Sequence, residues 1–294
     1  MKIKTNLAVL LLVALMCSFS AAKEAKTDRS EMKLTGKVRS VRQISYLGVE
    51  RDGKPSKAGR ADEVTAKEHD SFTLVFNAKG NKVERQWLKL NDSLETRHTY
   101  KYSAGKLTEE TREGELRGKC FFKYDAGGNR AEESCYDEDE GTDSKIVYKY
   151  DEKGNLAEQA CADCSPSSKT TYKYDEKGNL TETSTESDEF LSSVSKYDEK
   201  GNAVEVNSYD LGTPTTRVVN QYDDKGNLAE ATHYAADGSV SHTLLYKYAY
   251  DKHGNWVQQA EYDGGTPKYI LERTIQYFDN GGKAAAGKAK AKTK

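Results

Sequence analysis

The sequence lacks the short motifs on which much enzyme chemistry is built. Neither HExxH nor GxSxG nor a phosphate-cradling glycine loop occurs in its 294 residues. That excludes a helical zinc pair, a nucleophile elbow and a nucleotide cradle of the usual kinds. The five histidines, at 69, 98, 233, 242 and 253, are scattered. The chain therefore reads as non-enzymatic, with no cofactor and no metal site. The acidic stretch Asp137–Asp143 lacks the ligand spacing of an EF-hand loop and reads as a solvated turn. No apolar run is long enough to span a bilayer: the longest, Leu7–Met16, falls short of the length required.

That run sits in a recognisable context. Lys2 and Lys4 precede it, and Ser20, Ala21 and Ala22 follow it with small side chains. Positive start, apolar stretch and small residues in that order read as a secretory signal over residues 1–22. The protein is thus expected to be exported, periplasmic or secreted. Cys17 adds a second route, a lipid-modified cysteine, although Met16 stands where such sites carry a small residue. At the other end, 284–294 is a Lys/Ala-rich stretch, expected to be disordered. The leader contributes two lysines, and the end from Lys283 contributes five, with no acid in either. Residues 23–282 are left with 38 basic and 47 acidic residues, a formal charge of −9. A body of that sign disfavours nucleic acid, which is held by neutralising phosphates.

What the chain has in quantity is repetition. The phrase YKYDEKGNL stands at Tyr148–Leu156 and again at Tyr172–Leu180. Related copies place glycines at Gly80, Gly105, Gly128, Gly154, Gly178, Gly201, Gly226, Gly254 and Gly282, nine copies with a step of 23–28 residues. A fixed period of this size marks a repeat architecture. Within a copy, Tyr148-Lys149-Tyr150 alternates as a half-exposed strand does, Asp151 can form an Asx turn, and Gly154 supplies a left-handed residue before the return strand. A side chain at such a glycine would cost about 1–2 kcal/mol. Looser turns, such as YDLGTP from Tyr209 and YDGGTP from Tyr262, separate the copies. The expectation is an all-β fold: an antiparallel β-meander of about nine hairpin repeats, forming a long, twisted or partly rolled sheet. Residues 23–71 read as an N-terminal linker, a first strand over Leu34–Tyr46 and a loop. The repeat domain covers 72–283.

Three side-chain patterns recur with the turns. Tyr100, Phe122, Tyr148 and Tyr172 form an aromatic row that is either core or ligand-facing, with stacking on sugars as the functional alternative. Glu84, Glu109, Glu132, Glu158, Glu182, Glu205 and Glu230 face lysines 101, 123, 149, 173 and 196 across the turn. Such opposed pairs read as structural, each worth about 0.2–1 kcal/mol. Beyond the leader lie four cysteines, an even number that suits disulfides in an exported chain. Cys161–Cys164 can close a small ring. Cys120–Cys135 depends on register: the two are opposed if Asp125 pairs with Arg130, and on different faces if it pairs with Asn129. The reading favours the bridge.

The Tyr-Asp-x-x-Gly core, at Tyr150–Gly154, Tyr174–Gly178, Tyr197–Gly201 and Tyr222–Gly226, resembles the YD repeat of RHS-type proteins. This resemblance spans residues 72–283 and implies hairpin repeats in an envelope or secreted setting. Seven copies carry Asn after the glycine where that family usually has Arg. The DPxGL core motif of the toxin shells is missing, so toxin delivery is not implied. The expected role is an extended β surface that binds a glycan, an envelope polymer or another envelope protein. The alternative is a structural or accessory component of an RHS-type toxin or surface system without a small ligand.

Overall fold

The computed structural model describes residues 27–61 and 70–279. The expected leader with Cys17, the lysine-rich end and the ninth turn glycine, Gly282, lie outside the described residues, as does His69.

Each copy is built from its turn outward. In the copy at Tyr150, the Asp151 N–H donates to the Asn155 carbonyl at 2.9 Å, and the Gly154 N–H donates to the Asp151 carbonyl at 2.9 Å. Gly154 sits at φ +82°, the left-handed region that glycine tolerates best. The Asp151 carboxylate then grips the far side of the loop, accepting from the Asn155 backbone N–H at 2.7 Å and from its side-chain amide at 3.0 Å. The same clamp recurs at Asp125–Asn129, Asp175–Asn179 and Asp198–Asn202. Asn after the glycine therefore has a local task, to brace the turn Asp. The copy at Tyr102, one residue short, turns on Ala104 and Gly105, both at positive φ, as a two-residue hairpin loop requires.

Nineteen strands result among the described residues. The first two are β1 (Val38–Arg51) and β2 (Lys54–Arg60). Then come β3 (Phe72–Phe76), β4 (Lys82–Leu88), β5 (Leu94–Ser103), β6 (Lys106–Gly114), β7 (Gly118–Tyr124) and β8 (Arg130–Asp137). β9 (Thr142–Tyr150), β10 (Leu156–Cys161), β11 (Ser168–Tyr174), β12 (Leu180–Ser187), β13 (Phe190–Tyr197) and β14 (Ala203–Asp210) follow. The described residues finish with β15 (Thr213–Tyr222), β16 (Leu228–Ala235), β17 (Val240–Tyr250), β18 (Trp256–Asp263) and β19 (Thr266–Tyr277). Residues 47–60, expected as loop, instead extend β1 and form β2 around Asp52-Gly53, both left-handed.

The expectation of an open, twisted or partly rolled sheet is corrected here: the sheet closes. β1 pairs with β19 along one edge, Val41 opposite Ile275, and with β3 along the other, Val41 opposite Leu74. β1 and β3 through β19 thus make a closed ring of eighteen antiparallel strands, with β2 paired to the outer half of β1. Closure removes the two long edges whose unpaired backbone groups would otherwise face water. The curvature has a local source. In each of the eight described copies the strand after the turn carries one extra residue, such as Ala131, skipped between Tyr124–Arg130 and Lys123–Glu132. Bulges of this kind bend a strand and increase its twist.

The tyrosine-bearing face turns inward. A short helix, α1 (Asp28–Glu31), and the residues after it cross the mouth formed by the glycine turns. Arg29 donates to the Gly80 carbonyl, and the Tyr102 hydroxyl donates to Asp28. Five residues past Asp28, Lys33 reaches Asn202 at 3.1 Å and the Gly226 carbonyl at 2.9 Å. Thr35 then meets Asn255 and His253. A chain that touches the first, sixth, seventh and eighth turns within ten residues runs across the ring. Leu34 anchors this segment in an apolar cluster with Val38, Val41, Phe72, Leu74 and Phe76 at the seam.

Candidate binding surface inside the barrel

Successive hairpins are joined by tyrosine hydroxyls. Tyr150 donates to the Arg130 carbonyl at 2.8 Å, Tyr124 to Leu107 at 2.9 Å, and Tyr174 to Leu156 at 2.9 Å. Tyr102 and Tyr222 repeat the contact on Lys82 and Ala203. In each case the acceptor is the residue just before the bulge, where the ladder is interrupted. The Tyr-Asp tyrosine therefore satisfies a backbone group that the bulge displaces. Tyr197 and Tyr250 depart from this pattern: Tyr197 bonds Thr183 at 3.1 Å, and Tyr250 donates to Asp223 at 3.1 Å while Tyr248 takes the Leu228 carbonyl at 2.8 Å.

The other aromatic row, two residues earlier, also points inward. Tyr100 is buried, with the Lys82 ammonium 4.3 Å from its ring centre. Tyr148 donates to Glu133 at 3.0 Å, and Tyr172 to Gln159 at 3.3 Å. Burial pushes the Tyr172 phenol up to about 12, and pushes Tyr100 and Tyr148 up as well. Tyr148 and Tyr172 stay half-exposed on the inner wall, whereas Tyr100 belongs to its packed part.

On the outer face the bulge sets each glutamate opposite its lysine. Lys101–Glu109, Lys123–Glu132, Lys149–Glu158, Lys173–Glu182 and Lys196–Glu205 close at 2.6–2.8 Å. The lysines are well exposed, so each pair adds little stability, but the row gives the barrel a charged, hydrated exterior. The same bulge decides the cysteines. Asp125 does pair with Asn129, yet Cys120 lies directly opposite Cys135 and is bonded to it, because Ala131 restores the register that the turn removed. Cys161 is bonded to Cys164 across the loop after β10. Two groups have the composition of metal-ligand sets, Cys120–Glu133–Cys135 and Cys161–Asp163–Cys164, but in both the sulfurs are joined to each other. In the acidic turn, Arg117 forks onto Asp139 at 2.6 and 2.9 Å.

The inner wall has two characters. From β17 through the seam to β9 it is aromatic and ionic. Both tryptophans face inward, and each carries an arginine: Arg273 lies 3.3 Å from the Trp256 ring centre, and Arg85 lies 4.1 Å from that of Trp87. Gln43 and Asp70 link the two stacks. The Gln43 side chain accepts from Arg273 at 3.0 Å and donates to the Asp70 carbonyl at 2.9 Å, and the Asp70 carboxylate accepts from Arg85 at 3.3 Å. Further on, His98 rests against Trp87 with ring centres 4.4 Å apart and pairs with Glu110 at 2.8 Å. Burial alone would raise the Glu110 carboxyl, but His98 and Arg112 outweigh it and hold it at about 2. Glu133 goes the other way, raised by burial despite Arg130 and Tyr148. From β11 to β15 the inner wall is instead small and hydroxylated: Thr170, Thr183, Thr185, Ser193, Ser195 and Thr216 share the face of Tyr172.

The eight described turn glycines all sit at positive φ at hairpin tips and so shape the mouth rather than the wall. The Trp–Arg stacks were not singled out by the sequence: Arg85 and Trp87 stand two apart on β4, a spacing common to any strand face, and Trp256 and Arg273 lie on different strands, β18 and β19, that no local spacing relates. The signal available was that the only two tryptophans fall on positions that repeat phase places inward; Trp256 takes the place of the leucine in GNL.

No family model matches the chain, and no curated protein matches it. Among solved structures it is similar to a porin-like protein from Bacteroides uniformis, with 12% identity, a TM-score of 0.43, and coverage of 82% of this chain and 99% of that one. A porin-like protein from Bacteroides vulgatus gives 10% identity, a TM-score of 0.34, and coverage of 83% and 98%. A TcdB2-TccC3-TEV structure gives 12% identity and a TM-score of 0.35 over 81% of this chain, which spans 14% of that chain. Likeness at this level transfers no activity or partner. No helix among the described residues is long and apolar enough to cross a membrane.

Proposed function

We propose that this chain is an exported, non-enzymatic binding protein that takes a glycan or another envelope polymer inside its barrel. The observation that carries the reading is the composition of the inner wall. Half-exposed Tyr148 and Tyr172 stand on the same face as a row of threonines and serines and two Trp–Arg stacks. Flat apolar rings beside dense hydrogen-bonding groups suit a hydroxylated ligand, which offers both kinds of surface. The binding surface expected along an open sheet thereby moves indoors.

The second reading, a structural or accessory part of a YD-repeat or RHS-type surface system without a small ligand, draws on the outer face. The Lys–Glu row is charged on every hairpin where it occurs and covers that face with paired charge. A glycan-array and pull-down screen on residues 23–294 separates the two. Binding predicts a retained sugar or polymer whose capture falls at least tenfold in Tyr172→Ala. A screen that retains neither, on folded protein, removes the binding reading and leaves the scaffold.

A further inference from the structure

Four arginines on the inner wall can be compared. Arg85 faces Asp70 at 3.3 Å, Arg112 faces Glu110 at 3.0 Å, and Arg130 faces Glu133 at 3.5 Å. Arg273 differs. Its Nε donates to the Gln43 side-chain oxygen at 3.0 Å, its plane lies over Trp256, and no carboxylate among the described residues pairs with it. Its neighbour in sequence, Glu272, points outward to Lys57 at 2.8 Å. Gln43 cannot reorient freely, because its amide is held by the Asp70 carbonyl. Burial lowers the Arg273 guanidinium to about 9, with Tyr248 opposing that fall.

A desolvated cation without a counter-charge is costly, and proteins ordinarily supply an anion or leave the group in water. Here the Nε edge is occupied and one face of the guanidinium is covered, and the two terminal nitrogens have no partner among the described residues. That is the fork by which arginine takes both oxygens of an oxyanion. We propose that Arg273, positioned by Trp256 and Gln43, is the anion subsite of the barrel and binds a carboxylate or phosphate carried by the ligand. The inference rests on the lumenal binding reading and narrows its ligand class to acidic glycans or phosphate-bearing polymers.

The test follows tryptophan emission of protein spanning residues 23–294, to which Trp87 and Trp256 both contribute. Glucose, glucuronate and glucose 6-phosphate are titrated in low salt. At least one acidic sugar should perturb the emission with an affinity tenfold or more above that of glucose, and the two acidic arms tell carboxylate from phosphate. Arg273→Gln should abolish that preference, and Arg273→Lys should retain part of it. An equal response to glucose would overturn the anion subsite while leaving sugar binding intact. An acid preference unchanged in Arg273→Gln, or no response to any of the three probes, would overturn it also. Circular dichroism of each variant confirms the fold before titration, and the lysine variant keeps the comparison if the glutamine variant does not fold.

Discussion

The Tyr150 hydroxyl donates to the Arg130 carbonyl at 2.8 Å, tying one hairpin to the bulge of the hairpin before it. Tyr150→Phe keeps the ring and removes this bond, so it should cost about 1 kcal/mol, the usual net value of a neutral hydrogen bond. Hydrogen exchange should quicken locally around residues 128–150, because repeat arrays open by neighbouring units. Unchanged exchange in that region would deny the staple its role.

Turn glycines and strand glycines should fail in different ways. Gly154 has left-handed φ and open space around its Cβ position, so Gly154→Val should cost only the backbone term, about 1–2 kcal/mol. Gly118 has ordinary backbone, but a Cβ there would run into the Tyr136 carbonyl. Gly118→Ala is expected to cost at least as much, about 1–3 kcal/mol, from overpacking. Denaturant midpoints of the two variants decide it; a neutral Gly118→Ala would contradict the register of β7 with β8.

The Cys120–Cys135 bridge closes a segment with a sequence separation of 15 residues. Replacing both cysteines with alanine should lower stability by about 2–4 kcal/mol. Peptide mapping of non-reduced protein should recover a fragment linking residues 120 and 135. Free thiols at both positions would refute the pairing.

Glu110 gives a pH dependence with a definite sign. Its carboxyl is held at about 2, below its ordinary 4.5, so the folded state favours the carboxylate. That contribution is complete above pH 4.5 and is lost as pH falls toward 2, on the order of 3 kcal/mol as an upper bound. Glu133 has the opposite sign, since burial raises its carboxyl and its ionisation works against folding. Glu110→Gln should therefore flatten the acid limb of the stability profile between pH 4.5 and 2, and Glu133→Gln should not. Equal flattening by both would contradict the assignment.

Several of these features can be read directly from sequence. Gly154 and Asp151 specify their turn through φ and the Asx geometry, and Lys149 meets Glu158 as the spacing suggests. The Cys120–Cys135 register was harder, because the three-residue turn and the bulge at Ala131 cancel, and only the turn has a sequence signature. Rolling was legible in the number of strands, but full closure was not. It depends on β1 pairing with β19, residues more than 200 positions apart in sequence, through a strand outside the repeat pattern. The Trp256–Arg273–Gln43 arrangement is hidden for the same reason, since it assembles only across that seam.

Arg42 in β1 lies opposite Thr274 on one side and opposite Thr73 on the other. Two double variants, Arg42→Cys with Thr274→Cys and Arg42→Cys with Thr73→Cys, therefore test closure directly under mild oxidation. A closed ring predicts a cross-link in both, seen by mass spectrometry of non-reduced digests. An open sheet can place β1 beside β3 or beside β19 but not both, so a cross-link in only one variant would contradict the barrel.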